Sequence, residues 1–160
     1  MAHYHPPGMP RHLDYPSALV SELLDASAGM YPDRAAVVDG ERTLTHGELH
    51  AAAAAVSHDL GAHGVRPGDV VAVHLPNCLD FLVAYFGIVG AGAVAALVNP
   101  LQPREALSRQ LDAVRACAVI THPAHAGAVQ EVGLERFRRV LIVRGTECAP
   151  APEDDGAVRT

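Results

Sequence analysis

Two histidines at helical spacing are candidates for binding a metal ion. His46 and His50 are four positions apart with Glu48 between them, and on a helix that spacing can bring two imidazoles to one metal ion. The pattern is not the H-E-x-x-H motif of zinc enzymes, and His58 falls off the same helical stripe. We therefore interpret these histidines as surface residues of an amphipathic helix and predict no metal ligands.

A second group of candidates stands at the ends of predicted elements. His122 and His125 follow an apolar segment that ends at Thr121, and open α/β sheets bind ligands at the carboxyl edge of their strands. His122 is therefore the residue to test first for ligand contact; the alternative is a loop histidine without a role. Cys78 lies at a predicted helix start, where the helix dipole lowers a thiol pKa, but its apolar neighbours favour an inert, packed cysteine. We assign no catalytic residue.

The basic residues limit the chemistry further. All 12 are arginine and none is lysine, so no side chain can form a Schiff base or hold phosphate as an ammonium group. The formal net charge of -6 at pH 7 disfavours nucleic acid as a partner, because such partners require a basic surface. We interpret the one basic cluster, Arg136, Arg138 and Arg139, as a solvated approach to a strand rather than a phosphate site.

Apolar segments alternating with helix-length spacers must position these residues. The predicted strands are 70–75, 93–98, 116–121 and 139–143. Each spacer can hold one crossover helix, which predicts an α/β fold with a mainly parallel sheet and helices on both faces. The helix predicted at 79–90 is apolar all round, so both its faces should be covered, and Asn77 is expected to cap its start.

A small β-hairpin is predicted before this sheet. Residues 35–45 contain two short apolar runs around Asp39-Gly40, a pair that suits the two central positions of a type I′ turn. Thr45 and Glu48 then have the spacing of a capping box that opens the next helix.

Composition divides the chain into three parts. Residues 1–16 are rich in Pro and His and predict a flexible arm, 17–145 predict a single α/β subdomain, and 146–160 predict a disordered acidic, Pro-containing tail or linker. The subdomain should begin with a helix whose apolar face includes Leu19 and Leu23.

Several motifs in this order resemble the amino-terminal region of the adenylate-forming (AMP-binding) acyl- and aryl-CoA synthetases, which include the 4-coumarate-CoA-ligase-like enzymes. They are Tyr31-Pro32-Asp33-Arg34, Leu44-Thr45-His46-Gly47-Glu48-Leu49, Leu75-Pro76-Asn77, and Gly90-Ala91-Gly92-Ala93 through Asn99-Pro100. The family usually has Tyr where His46 stands. The resemblance runs from about Leu19 to Arg144 and involves architectural positions.

The resemblance implies ATP-dependent activation of a carboxylate to an acyl-adenylate, followed by transfer to coenzyme A or a carrier thiol. ATP, Mg²⁺ and coenzyme A are thus implied for a full-length parent, and no cofactor for this chain. The family's phosphate loop, aromatic-Gly-x-Thr-Glu motif, ribose-binding Asp and catalytic Lys have no match here. We expect an amino-terminal structural subdomain that is inactive alone. The alternatives are a stand-alone, non-catalytic interaction or binding module, or an unrelated small enzyme that uses His122 or Cys78.

The expected partner is the remainder of a ligase, a complementary fragment, or a second copy held through an exposed apolar face. We predict no membrane span, because glycines interrupt the apolar run at 81–98. Three cysteines without a C-x-x-C pair, and a start without the apolar core of a signal peptide, favour a cytoplasmic protein.

Overall fold

The computed structural model describes residues 17–143, so the predicted arm at 1–16 and the predicted tail at 146–160 lie outside the described residues. The helices and strands, in chain order, are α1 (Val20–Met30), β1 (Ala35–Asp39), β2 (Arg42–Thr45), α2 (His46–Ala62), β3 (Val70–His74), α3 (Leu79–Gly90), β4 (Val94–Leu97), α4 (Arg104–Ala113), β5 (Ala118–Thr121), α5 (Ala126–Val132) and β6 (Arg139–Ile142). Two short 3₁₀ turns, Pro123–His125 and Leu134–Arg136, flank α5.

The main sheet has four strands in the order β4-β3-β5-β6, and every neighbouring pair is parallel. This confirms the α/β fold and the parallel sheet predicted from the helix-length spacers. The register places His74, the last residue of β3, beside Thr121, the last residue of β5. The chemistry-bearing residues that follow these strands therefore share one edge.

Helices cover both faces of this sheet, as predicted. Val71, Val73 and Ile120 pack with residues of α2 and α3, including Leu60 and Ile88. The alternate strand residues Ala72 and Val119 pack on the other face with Leu107 and Leu111 of α4 and Val129 of α5. Because side chains alternate along a strand, His74 and Thr121 continue the face that α4 and α5 cover.

The hairpin forms where it was predicted, but its turn is one residue further along. Asp39 pairs with Arg42, so Gly40 and Glu41 are the two turn residues. Gly40 has a positive φ of 58°, whereas Glu41 does not have a positive φ. A type I′ turn needs positive φ at both central positions, so the prediction of that turn was wrong; a glycine at the first position alone fits a type II′ turn.

The capping box at the start of α2 is confirmed. The backbone N–H of Thr45 donates to Glu48 Oε2 at 2.9 Å, and the N–H of Glu48 donates to Thr45 Oγ1 at 3.2 Å. These reciprocal bonds satisfy two amides that a helix start would otherwise leave unpaired.

The start of α3 is capped by a distant residue rather than by Asn77. Cys78 occupies the cap position, and the N–H of Leu79 donates to Oδ2 of Asp39 at 3.1 Å. The prediction for Asn77 was therefore wrong. The carboxylate of Asp39 lies at the end of β1, so this bond ties the hairpin to the helix that packs on the main sheet.

The first helix presents a different face from the one predicted. Leu24 is buried and packs with Leu49 and Ala53 of α2, whereas Leu19 is 67% exposed and Leu23 is 57% exposed. The contact with α2 decides which side of α1 is buried, and the helical period alone could not show where α2 lies.

Among the described residues, no helix combines the length and the apolar character needed to cross a bilayer. The apolar run at 81–98 is divided between α3, a turn at Ala91 and Gly92, and β4.

Candidate histidine site at the sheet edge

Three histidines and a threonine come together at the carboxyl edge of β3 and β5. His74 is fully buried, and its Nδ1 lies 3.0 Å from Thr121 Oγ1. The ring of His125 meets the ring of His74 edge-on, with centroids 5.9 Å apart. The ring of His122 lies 6.1 Å from that of His125. We call His74, His122 and His125 the histidine cluster.

The local structure after β5 explains why two of these side chains turn back toward the sheet. The strand ends at Thr121, and His122 caps the 3₁₀ turn Pro123–His125. Its Nδ1 accepts a hydrogen bond from the N–H of Ala124 at 3.2 Å. Since a backbone amide can only donate, Nδ1 of His122 holds the lone pair and Nε2 carries the proton of the neutral ring.

Two nitrogens of the cluster are buried without a hydrogen-bond partner. They are Nε2 of His74 and Nε2 of His122. A buried polar atom in this condition is uncommon in proteins and costs free energy. The cluster is thus a polar site whose hydrogen-bonding capacity is only partly used within the described chain.

Burial disfavours the charged form of two of these histidines. It lowers the pKa of His74 to about 4, and the neighbouring His125 contributes in the same direction. Burial, and then the proximity of His122, also lowers the pKa of His125. His74 and His125 can donate and accept hydrogen bonds, but with their pKa values lowered they offer no positive charge to a phosphate group at neutral pH.

The other candidate histidines are not brought together. His50 is exposed and its Nε2 lies 3.2 Å from Asp25 Oδ1 on α1, and Nδ1 of His46 is buried without a partner. Within residues 17–143, no group of three or more His, Cys, Asp or Glu side chains is arranged to hold a metal ion.

Cys78 occupies the cap position of α3, one residue before the first helical residue, and is half-buried. It therefore lies at the helix start that the sequence predicted. A second cysteine, Cys117, precedes β5, and burial raises the pKa of its thiol.

The arginines of the basic cluster bind carboxylates of this chain. Arg139 makes a two-pronged contact with Asp59, with N···O distances of 2.9 and 3.0 Å. Arg138 contacts Asp69, and Arg136 contacts Asp112. The N–H of Arg66 together with the Arg138 guanidinium lowers the pKa of Asp69. The cluster thus connects the approach to β6 with α2, α4 and the turn before β3.

Comparison with known proteins decides the family. The model of the AMP-binding enzyme family matches residues 24–158. The chain belongs to the AMP-binding enzyme family. It is 31% identical over 117 residues to a long-chain-fatty-acid–CoA ligase of Bacillus subtilis, covering 73% of this chain and 21% of the relative. It is 30% identical over 115 residues to 4-coumarate-CoA ligase 1 of Narcissus pseudonarcissus, covering 71% of this chain and 21% of that relative.

A solved structure shows the same fold. The long-chain-fatty-acid-CoA ligase of Archaeoglobus fulgidus superimposes with a TM-score of 0.76 at 21% identity, covering 84% of this chain and 29% of that one. This chain spans about a fifth of the length of the two curated relatives above, and it corresponds to part of the amino-terminal domain of acyl- and aryl-CoA ligases. The resemblance seen in its motifs is confirmed.

Sequence reasoning found part of the histidine cluster. His122 and His125 were identified because they follow a strand, and the structure places both at the sheet edge. His74 and Thr121 were missed. The available signal was a histidine at the end of the otherwise apolar run Val70–His74, in register with a polar residue at the end of β5.

Proposed function

We propose that this chain supplies the amino-terminal framework of an ATP-dependent acyl- or aryl-CoA ligase and does not adenylate a carboxylate by itself. The observation that carries the proposal is the charge at the sheet edge. Where an open α/β sheet would bind its ligand, this edge presents His74 and His125, whose lowered pKa values disfavour a positive charge, and the chain contains no lysine.

Adenylation requires positive charge around the reacting phosphorus, usually from Mg²⁺ together with cationic side chains. Within the part of the chain that the structure describes, no group of three or more His, Cys, Asp or Glu side chains is arranged to hold a metal ion by itself. The arginines of the basic cluster are occupied by Asp59, Asp69 and Asp112. A full-length parent would have to supply these groups from other segments.

An ATP–pyrophosphate exchange assay tests the proposal. The purified 160-residue chain, with Mg²⁺ and a panel of fatty and aryl acids, should give no exchange above a blank without protein. A full-length acyl-CoA ligase serves as the positive control, and a mock purification from the same host measures contaminating ligase. Exchange that exceeds both blanks and co-elutes with the chain would overturn the proposal.

A second candidate is a stand-alone interaction module that keeps the ligase framework without catalysis. Exposed apolar side chains support it, because an apolar surface of this kind often marks an interface. They include Leu19 just before α1 and Leu23 on α1, together with Val94 and Leu97 on the edge strand β4 and Leu101 after it.

Light scattering over a range of concentrations tests whether this surface drives self-association. We expect the apparent mass to rise with concentration in wild type and to stay closer to the monomer in Leu97→Glu, which places a charge on the β4 edge. Glu105→Gln, at an exposed position of α4, is the control. A wild-type chain that remains monomeric at all concentrations would contradict self-association.

A further inference from the structure

No carboxylate of residues 17–143 forms an ion pair with the histidine cluster. Burial lowers the pKa values of His74 and His125, and for each of them a neighbouring imidazole adds to the effect. The Asp and Glu side chains of residues 17–143 that form ion pairs do so with residues outside the cluster. A proton added to the cluster would thus create a buried charge that no carboxylate offsets.

The elements packed around His74 also turn their charged groups to solvent. On β5 its neighbour is Thr121, and on the 3₁₀ turn it is His125. The two helices on this face carry Arg104, Glu105, Arg109 and Asp112 on α4, and Glu131 on α5, all of them exposed. Within the described chain, a protonated His74 would thus have the Thr121 hydroxyl as a hydrogen-bond acceptor but no carboxylate, and water would have to supply the remaining stabilisation.

The β5–α5 connection, residues 122–125, is the segment beside His74 that can open most easily and admit this water. The 3₁₀ turn Pro123–His125 has three residues, and its bonds include the N–H of His125 to the carbonyl of His122 at 2.9 Å. Helix α5 has seven residues, and Val129 is its buried one. By contrast, His74 belongs to β3, which is paired on both sides. Local opening is expected where few buried contacts hold a segment.

We propose that His74 and His125, whose rings are in contact, form an acid-sensitive latch, which holds the β5–α5 connection on the sheet edge while the two rings are neutral and releases it when they are protonated. The sign follows from the two states of His74. Closed, its pKa is about 4; opened to water, it returns to its ordinary value of 6.5. The open state therefore binds the proton more tightly, and opening becomes easier as the pH falls from 6.5 toward 4.

Native-state hydrogen exchange measured by NMR tests the latch. With these two pKa values, the ratio of open to closed molecules should rise about 30-fold between pH 7.5 and pH 5. Protection of the amides from Ala124 to Val129, corrected for the intrinsic exchange rate, should fall by that factor. Because the opening is local, their exchange should not depend on low concentrations of urea.

His74→Asn is the matched variant, because the asparagine amide can keep the hydrogen bond to Thr121 and does not titrate. Its protection should change less than about threefold between the same pH values. His58→Asn, which replaces an exposed histidine of α2, should respond like wild type. Unchanged protection at pH 5 in wild type, an equal fall in His74→Asn, or exchange that rises with urea together with the β5 amides would overturn the latch.

A measurement on wild type alone covers the case in which His74→Asn does not fold. The imidazole of His74 should titrate with a midpoint well below 6.5, and the amide shifts of Ala124 and His125 should move with the same midpoint. A midpoint near 6.5 for His74, or amides that do not follow it, would also overturn the proposal.

Discussion

Replacing Gly87 by alanine should lower the free energy of unfolding by about 3 kcal/mol. Gly87 lies in α3 and faces α2, where an added Cβ would meet the Cβ and Cγ1 of Val56 at 2.6 Å and the carbonyl oxygen of Ala53 at 3.0 Å. Contacts this short force atoms to move. The expected loss arises from overpacking at the closest approach of the two helices.

The neighbours of Gly87 cannot give way cheaply. The Cβ of Val56 is attached directly to the α2 backbone, and the oxygen of Ala53 belongs to that backbone. Relief would require α2 and α3 to separate. Separation would loosen the packing of Leu49 and Ala53 with Phe86 on one side and of Leu60 with Ile88 on the other.

Gly90→Ala is the control in the same helix. The nearest atoms to a Cβ at this position are the Cβ and Oγ of Ser57, at 3.9 to 4.0 Å, which is ordinary contact. Alanine is the better helix former, so this variant should be unchanged or more stable by up to about 1 kcal/mol. Urea unfolding followed by circular dichroism measures both variants. Equal stabilities for Gly87→Ala and Gly90→Ala would contradict the packing argument.

The main sheet could be predicted well, because each strand is marked by a short apolar run in the sequence itself. Apolar runs such as Val70–His74 and Ala118–Thr121 read as strands, and the spacers between them require parallel pairing. The role of Gly87 could not be read in the same way. In a helix pattern a glycine signals only a weaker helix, and its contact with Val56 depends on how two helices meet in space.

The same difference explains the errors at element ends. Asn77 stands at the right place in sequence to cap α3, but the bond to Leu79 comes from Asp39, which lies 40 positions earlier. In the candidate site, His122 was found from its position after a strand. His74 was not, because its importance depends on the register that places it beside Thr121.

His74 should also make the global stability depend on pH. Its pKa is lowered to about 4 in the folded chain from 6.5 when solvated. Its contribution is therefore fully present above pH 6.5 and is lost as the pH falls toward 4. The shift sets an upper limit of about 3 kcal/mol on the loss. Urea unfolding of wild type and His74→Asn between pH 7.5 and pH 4 isolates this contribution from other titrating groups.

The size of the loss connects this measurement with the latch. If the β5–α5 connection stays closed, wild type should lose close to the full 3 kcal/mol relative to His74→Asn. If the connection opens, the folded chain also binds the proton, and the loss stops at the free energy that opening costs at neutral pH. A loss that levels off below the limit, at the pH where amides 124–129 lose protection, would measure the cost of opening. Parallel pH profiles for the two proteins would show that His74 is not buried as a neutral imidazole.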